Sequence, residues 1–343
     1  MKNFTKLVRI GSLVFGLMIG MQAQAQVNDH SSRMIATIYA NAQVKYSEAT
    51  ATRSSGVRTG FELQRAYIGY QHALSKQWVG RVLFDVTNDS TLKGSHYNVY
   101  VKNAYACYTQ PKWQVVFGMI PTDLYSDAES HWGKRYMSLN INDLAGFGSS
   151  ADLGVGFYYK WSDEWGIHAQ LLNGEGYRKM QLDSSFKASL SLNFHPSKIV
   201  MLRLYGDVMQ SDAATQFTTN VLLGYTHPKF RFGLEGGLQF NQRGQKGYDM
   251  AIASLWGTYN CSEKVAFFLR GDWQKPTVDG QSDDVPNSWR DKKMRYHAIV
   301  GADIVAFHLK GMQQVRLSPN VKWSQTYAGH NQVVAYLSVG AFF

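Results

Sequence analysis

The chain has 343 residues, a formal net charge of +10, 14% aromatic residues in which Tyr leads, and two cysteines. A mean hydropathy of −0.28 excludes a helical membrane protein. No Ser/Pro/Gly-rich linker or long charge block divides the sequence, so one domain is expected rather than two.

Residues 1–25 run from Lys2, Lys6 and Arg9 through the apolar "IGSLVFGLMIGM" to Ala23-Gln24-Ala25. That order of charge, apolar core and small-residue site predicts a secretory signal peptide, with the mature domain spanning 26–343. No Cys lies near the cut, so no lipid anchor is expected. Removing Lys2, Lys6 and Arg9 lowers the charge from +10 to +7. The remaining charge is dispersed, which argues against a nucleic-acid partner.

Beyond the leader, sixteen segments have strand character: 33–46, 60–74, 77–89, 97–109, 112–120, 152–161, 165–175, 186–195, 199–210, 217–227, 229–241, 247–260, 264–275, 293–307, 312–323 and 331–343. The clearest, "KFRFGLEGGLQFN", sets Phe230, Phe232, Leu234, Leu238 and Phe240 on one parity and Arg231, Glu235 and Gln239 on the other. Period-two alternation means a strand with unlike surroundings on its two faces. The same split recurs at 78–86, 265–273 and 315–323, whereas 60–74 and 97–109 change parity internally and leave their facing open.

Short turns, "LSKQ", "QPK", "SDE", "HPSK", "HPK", "CSE" and "HLKG", alternate with longer polar connections. An even number of long strands with that asymmetry predicts an all-β fold, a transmembrane antiparallel barrel of about 16 strands in a bacterial outer membrane, with both termini in the periplasm. The apolar faces then meet outer-membrane lipid and lipopolysaccharide, and Trp113, Trp161, Trp165, Tyr259 and Trp273 form interfacial girdles. Cys107 and Cys261 fall at one end of the barrel but on opposite sides of the ring, too far apart to bridge.

The polar faces carry Arg81, Lys187, Arg203, Arg231, Arg270, Arg316 and Lys322, against Asp85, Asp207, Glu235, Asp272 and Asp303, seven basic residues to five acidic. These are the expected lumen wall. The third long connection, 121–151, is the longest, and a loop of that length calls for a functional reason. Folded inward, it would bring Asp123, Asp127, Glu129, Lys134 and Arg135 to a pore constriction, where charge sets selectivity. A solvated surface loop is the alternative.

The last segment, "VVAYLSVGAFF", alternates to a terminal Phe343 and resembles the C-terminal signal read by the barrel assembly machinery. Together with "FELQRAYIGY" followed by "LSKQWVGRVLFDV", with "FGSSADLGVGFYYKW" and with "AQLLNGEGY", it makes the chain resemble the phosphate-selective porin O and P family, particularly its members from the Bacteroidota. The resemblance implies a homotrimeric outer-membrane barrel with an inward-folded loop and, in the best-known members, a lumen ladder of arginines and lysines that selects phosphate. Here acids interrupt the basic residues. The expectation is therefore a water-filled channel for small hydrophilic solutes and ions, weakly preferring anions.

Other chemistries find little footing. Ser130 and His131 beside Asp127 and Glu129 do not make a triad, which is assembled in space from roles. No HExxH, CxxC or phosphate-binding Gly-rich loop occurs. Asp279, Asp283 and Asp284 of "VDGQSDDVPN" could hold a divalent ion or lipopolysaccharide counter-ions, or be a solvated loop. No enzyme activity, metal or cofactor is expected. A non-conducting barrel subunit of a secretion or surface-adhesion apparatus, and an outer-membrane barrel enzyme, are the alternative classes. The chain is too short for a plugged barrel of about 22 strands.

Overall fold

The computed structural model describes residues 31–49, 55–88, 96–182, 184–211, 213–277, 293–308 and 314–343. The leader at 1–25 and Asp279, Asp283 and Asp284 lie outside these. Sixteen strands follow in order: β1 (Ser32–Ser47), β2 (Gly56–Ala73), β3 (Trp78–Asn88), β4 (Tyr97–Thr109), β5 (Trp113–Pro121), β6 (Ala151–Lys160), β7 (Trp165–Leu172), β8 (Lys187–Ser197), β9 (Val200–Met209), β10 (Gln216–Thr226), β11 (Phe230–Phe240), β12 (Asp249–Asn260), β13 (Val265–Thr277), β14 (Met294–His308), β15 (Gln314–Thr326) and β16 (Asn331–Phe342). Two helices, α1 (Asp123–Trp132) and α2 (Ile141–Ala145), fall between β5 and β6.

Each strand pairs antiparallel with its neighbours in sequence, and β1 closes on β16 in a register running from Thr37 opposite Phe342 to Ser47 opposite Gln332. Closure leaves no open edge, as a sheet in hydrocarbon requires. No described helix is long and apolar enough to cross a membrane, so any crossing is made by strands.

Burial is inverted relative to a water-soluble sheet. On β11, Phe230, Phe232, Leu234, Leu238 and Phe240 are 40–50% exposed, while Glu235 and Gln239 are 1% exposed. So much apolar surface facing outward around the ring is unfavourable in water, at roughly 25 cal/mol per Å². It is favourable against lipid. Aromatic rings bracket this belt at both ends. Trp78, Tyr108 and Trp113 form a chain with centroid spacings of 5.0 and 5.5 Å, and Trp165 stacks on Phe194 at 4.1 Å, all near the short turns. At the other end Tyr296 stacks with Trp323 at 6.3 Å. Cys107 is buried, Cys261 is exposed, and both are free thiols.

The two strands with ambiguous parity each contain a β-bulge. Tyr39 pairs with Arg65 and the next residue, Ala40, with Leu63, so Gln64 is extra in β2. Leu83 pairs with Asn103 and Phe84 with Val101, so Lys102 is extra in β4. An unpaired residue resets which side chains point inward from that position on.

Candidate functional site

The connection between β5 and β6 is folded into the lumen. Its helix α1 ends at Gly133, whose left-handed φ of 65° lets its N–H reach the Glu129 carbonyl at 2.9 Å. A short coil leads to α2, where the Asn140 side chain accepts a hydrogen bond from the Asp143 N–H at 2.9 Å. Leu124, Tyr125, Ala128, Trp132, Tyr136, Met137, Ile141, Ala145 and Phe147 of this segment are all at most 2% exposed.

What buries them is an apolar patch on the inner wall. Ala128, Trp132, Tyr136 and Met137 pack with Tyr39, Leu222, Trp256, Phe268 and Ile299. Leu124, Tyr125, Ile141, Ala145 and Phe147 pack with Tyr205, Met250 and Ile252. The wall also yields space: a side chain at Gly340 would put its Cβ 2.8 Å from the Tyr136 ring.

Basic wall residues then hold the loop by its backbone. The guanidinium Nη1 of Arg203 donates to the Asp123 carbonyl at 2.6 Å, that of Arg231 to His131 at 3.3 Å, and that of Arg270 to Leu139 at 2.7 Å, while Lys322 Nζ donates to the Met137 carbonyl. Arg316 acts at one remove: it and the Tyr136 hydroxyl both donate to Asp303, each at 2.7 Å. Lys187 lies beside Gly148 at the far end of the loop. Of the seven expected wall cations, six thus sit on the loop's side of the lumen, and Arg81 of β3 faces it from elsewhere.

The five loop residues separate. Glu129 and Arg135 come together at 3.2 Å, with Asp143 3.7 Å from the same guanidinium. Asp127 is about a third exposed, 3.9 Å from Arg203, and Asp123 lies 3.6 Å from His168. Lys134 turns away, 3% exposed, donating to Thr258 Oγ1 at 3.0 Å with the Trp132 and Phe268 rings 5.5 and 5.7 Å from its Nζ. Burial pulls its pKa down to about 7. His131, beside it, is held near 3 by burial and by the Arg231 charge, and its Nδ1 accepts from Trp256 Nε1 at 3.2 Å.

The loop leans on β9–β16, where Arg203, Leu222, Ile299, Ser318 and Ser338 are 0% exposed. Inward side chains that stay part exposed include Arg65, Tyr67, Arg81, Tyr100, Lys102, Tyr105 and His168 of β2, β3, β4 and β7, as well as Arg231 of β11 and Arg316 and Lys322 of β15.

There a cation–aromatic cluster forms that sequence reasoning missed. Arg65 Nε is 3.2 Å and Arg178 Nη2 3.9 Å from the Asp85 carboxylate, which also accepts from the Tyr177 hydroxyl at 2.5 Å. Lys102 Nζ donates to Tyr67 at 3.3 Å and Arg65 Nη1 does so at 3.2 Å. Arg65 and Lys102 went unassigned because the bulges hide their facing, and Tyr177 and Arg178 because they reach in from the connection between β7 and β8. The internal change of parity was the signal available.

No family model and no curated protein matches this sequence. Solved structures do. The outer-membrane channel DcaP of Acinetobacter baumannii is 10% identical, with 95% of this chain and 100% of that one aligned at a TM-score of 0.60. Salmonella typhi OmpF, in complex with daunomycin, is 9% identical over 92% and 98% of the two chains at 0.62. The trimer form of OmpT from Vibrio cholerae is 11% identical over 92% and 100% at 0.54. At these identities the likeness is one of architecture: this chain has the closed sixteen-stranded antiparallel fold of bacterial outer-membrane porins.

Proposed function

We propose that this protein is an outer-membrane porin: a water-filled passage for passive diffusion of small hydrophilic solutes and ions, with a weak preference for anions. The observation that carries this reading is the off-centre placement of the loop. It packs on one side of the barrel and leaves charged side chains part exposed on β2, β3, β4 and β7. A sixteen-stranded barrel is too wide for wall side chains to fill. The gap between loop and wall is the constriction, lined by Glu129, Arg135 and Asp127 from the loop and by Arg65, Lys102 and Arg81 from the wall. Asp123 and Lys134 anchor the loop.

The excess of basic over acidic groups on this side supports the anion preference. Selection of phosphate, as the resemblance to the O and P family would suggest, has less support, because Asp85 and Glu129 sit among the bases. Periplasmic termini, a cleaved leader at 1–25, assembly through Phe343, lipopolysaccharide contacts and a homotrimer belong to the same reading.

One observation favours the alternative of a non-conducting barrel subunit: almost every side chain from 122 to 147 is buried or half-buried. Single-channel recording of purified full-length protein separates the two. Steady ohmic conductance in KCl supports the porin, and its absence overturns it.

A further inference from the structure

Resting on the porin reading, we infer that the passage distinguishes anions by shape as well as charge, and that its preferred solutes are aryl carboxylates. The argument is the pairing of every cation in the wall cluster with a phenol ring. Arg65 lies 5.9 Å and Lys102 4.8 Å from the Tyr67 ring centre; Lys102 is also 5.9 Å from Tyr177. Arg178 sits between Tyr100 at 5.5 Å and Tyr177 at 5.4 Å, and those two rings meet edge to face at 6.3 Å.

Charge in the cluster is unbalanced. Arg65, Lys102 and Arg178, with Arg135 beside them, face Asp85 and Glu129, so positive charge is left over. A small hydrated anion would meet that charge and gain nothing from the rings. An aliphatic carboxylate would gain charge and area. A carboxylate carried on a flat ring gains a third term: its edge or face meets the phenols and the guanidinium plane of Arg178 while its oxygens meet Lys102 and Arg65. Two independent features bring the groups together. The bulge at Lys102 aims both Lys102 and Asn103 inward, and the connection between β7 and β8 reaches across to seat Tyr177 on Asp85 of β3. Bulges of this kind recur where a side chain must be re-aimed beside a functional site.

The test compares benzoate with cyclohexanecarboxylate, which match in charge and nearly in size but differ in the ring. Half-blocking concentrations of the KCl current through the full-length protein are measured for both. Benzoate is expected to block at a concentration about two- to tenfold lower, the worth of one good aromatic contact. In a Tyr100→Leu, Tyr177→Leu variant the ratio should fall to near one. Tyr177→Phe, which keeps the ring, should keep the ratio, and Lys102→Gln should weaken both acids together. Equal block by the two acids in the parent, or an undiminished ratio in the double variant, would overturn the inference. Calorimetric titration of the detergent-solubilised chain gives the same ratio without current. A parent that binds benzoate selectively yet does not conduct would overturn the porin reading and leave the binding site standing.

Discussion

Arg270 of β13 donates from Nη1 to the Leu139 carbonyl at 2.7 Å, joining wall and loop across 131 positions of sequence. The guanidinium is itself fixed from behind, because its Nε lies 2.8 Å from Asp272, whose other oxygen meets His297 Nδ1 at 2.8 Å. A cation on the wall of a porin-like barrel is easily read as a selectivity element. Here one of its donors is spent on loop backbone, and the same holds for Arg203, Arg231 and Lys322. The carbonyls of Met137 and Leu139 need these donors, since the coil between the two helices has no ladder to satisfy them.

Replacing Arg270 by Met should therefore loosen the loop rather than change charge selectivity. A hydrogen bond to a charged group contributes about 1.5–3 kcal/mol, so the undocked fraction should rise roughly tenfold or more. Trypsin cutting after Lys134 and Arg135 reads that fraction in the folded protein. An unchanged cleavage rate would show that the apolar clusters hold the loop without this bond.

Acid should undock the loop through His131. The indole N–H of Trp256 is donor only, so the Nδ1 that accepts it must be unprotonated. Burial and Arg231 hold the pKa near 3 in the docked state, against about 6.5 when the loop is free. The undocked state thus binds more protons between those values, and the contribution of His131 to docking is fully present above pH 6.5 and is lost as pH falls toward 3. From pH 6.5 to 5 trypsin sensitivity should already rise. His131→Gln should flatten that window. A dependence that survives the substitution would place the titrating group elsewhere.

The barrel was legible in the sequence because lipid and lumen impose one rule on every strand: Val321 and Trp323 point out and Asn320 and Lys322 point in, by parity alone. The closed sixteen-strand ring and the inward loop both follow that reading. The site was only half legible. Wall positions of Arg203, Arg231 and Arg270 are given by parity, but their partners are loop carbonyls, which carry no side-chain signature. Inward apolar residues such as Leu222, Trp256, Phe268 and Ile299 look like violations of the alternation until the loop that covers them is in place. Arg65 and Lys102 were hidden for a third reason, since one inserted residue shifts the frame of everything beyond it.

Docking should also depend on an absent side chain. Gly340 of β16 faces Tyr136, and a Cβ there would lie 2.8 Å from the ring and 3.0 Å from that of Phe342. Gly340→Val should push Tyr136 off the wall at about 1–3 kcal/mol while the outward face of β16 is untouched. Conductance and loop cleavage should both rise. Adding Tyr136→Ala in the same chain removes the ring that collides, so the second substitution should cost much less in the valine background than alone. Simple additivity of the two would count against a direct clash.

Charge selectivity should be governed by Lys102 and Arg135 and not by Lys134. In physiological salt a charge acts over about 8 Å, so only groups bordering the gap matter. Lys134 is buried against Trp132, Phe268 and Thr258, and Lys134→Gln, which can keep a hydrogen bond to Thr258, should leave the reversal potential in a KCl gradient where it is. Lys102→Glu removes the local excess of positive charge and should move the potential toward cations. Arg135→Gln should move it the same way, because Glu129 and Asp143 lose their shared partner. The parent itself should show a weak anion preference. Strong cation preference in the parent, or a shift from Lys134→Gln as large as that from Lys102→Glu, would mean that the ions pass along the loop's buried side, against β9–β16, instead of along β2–β4.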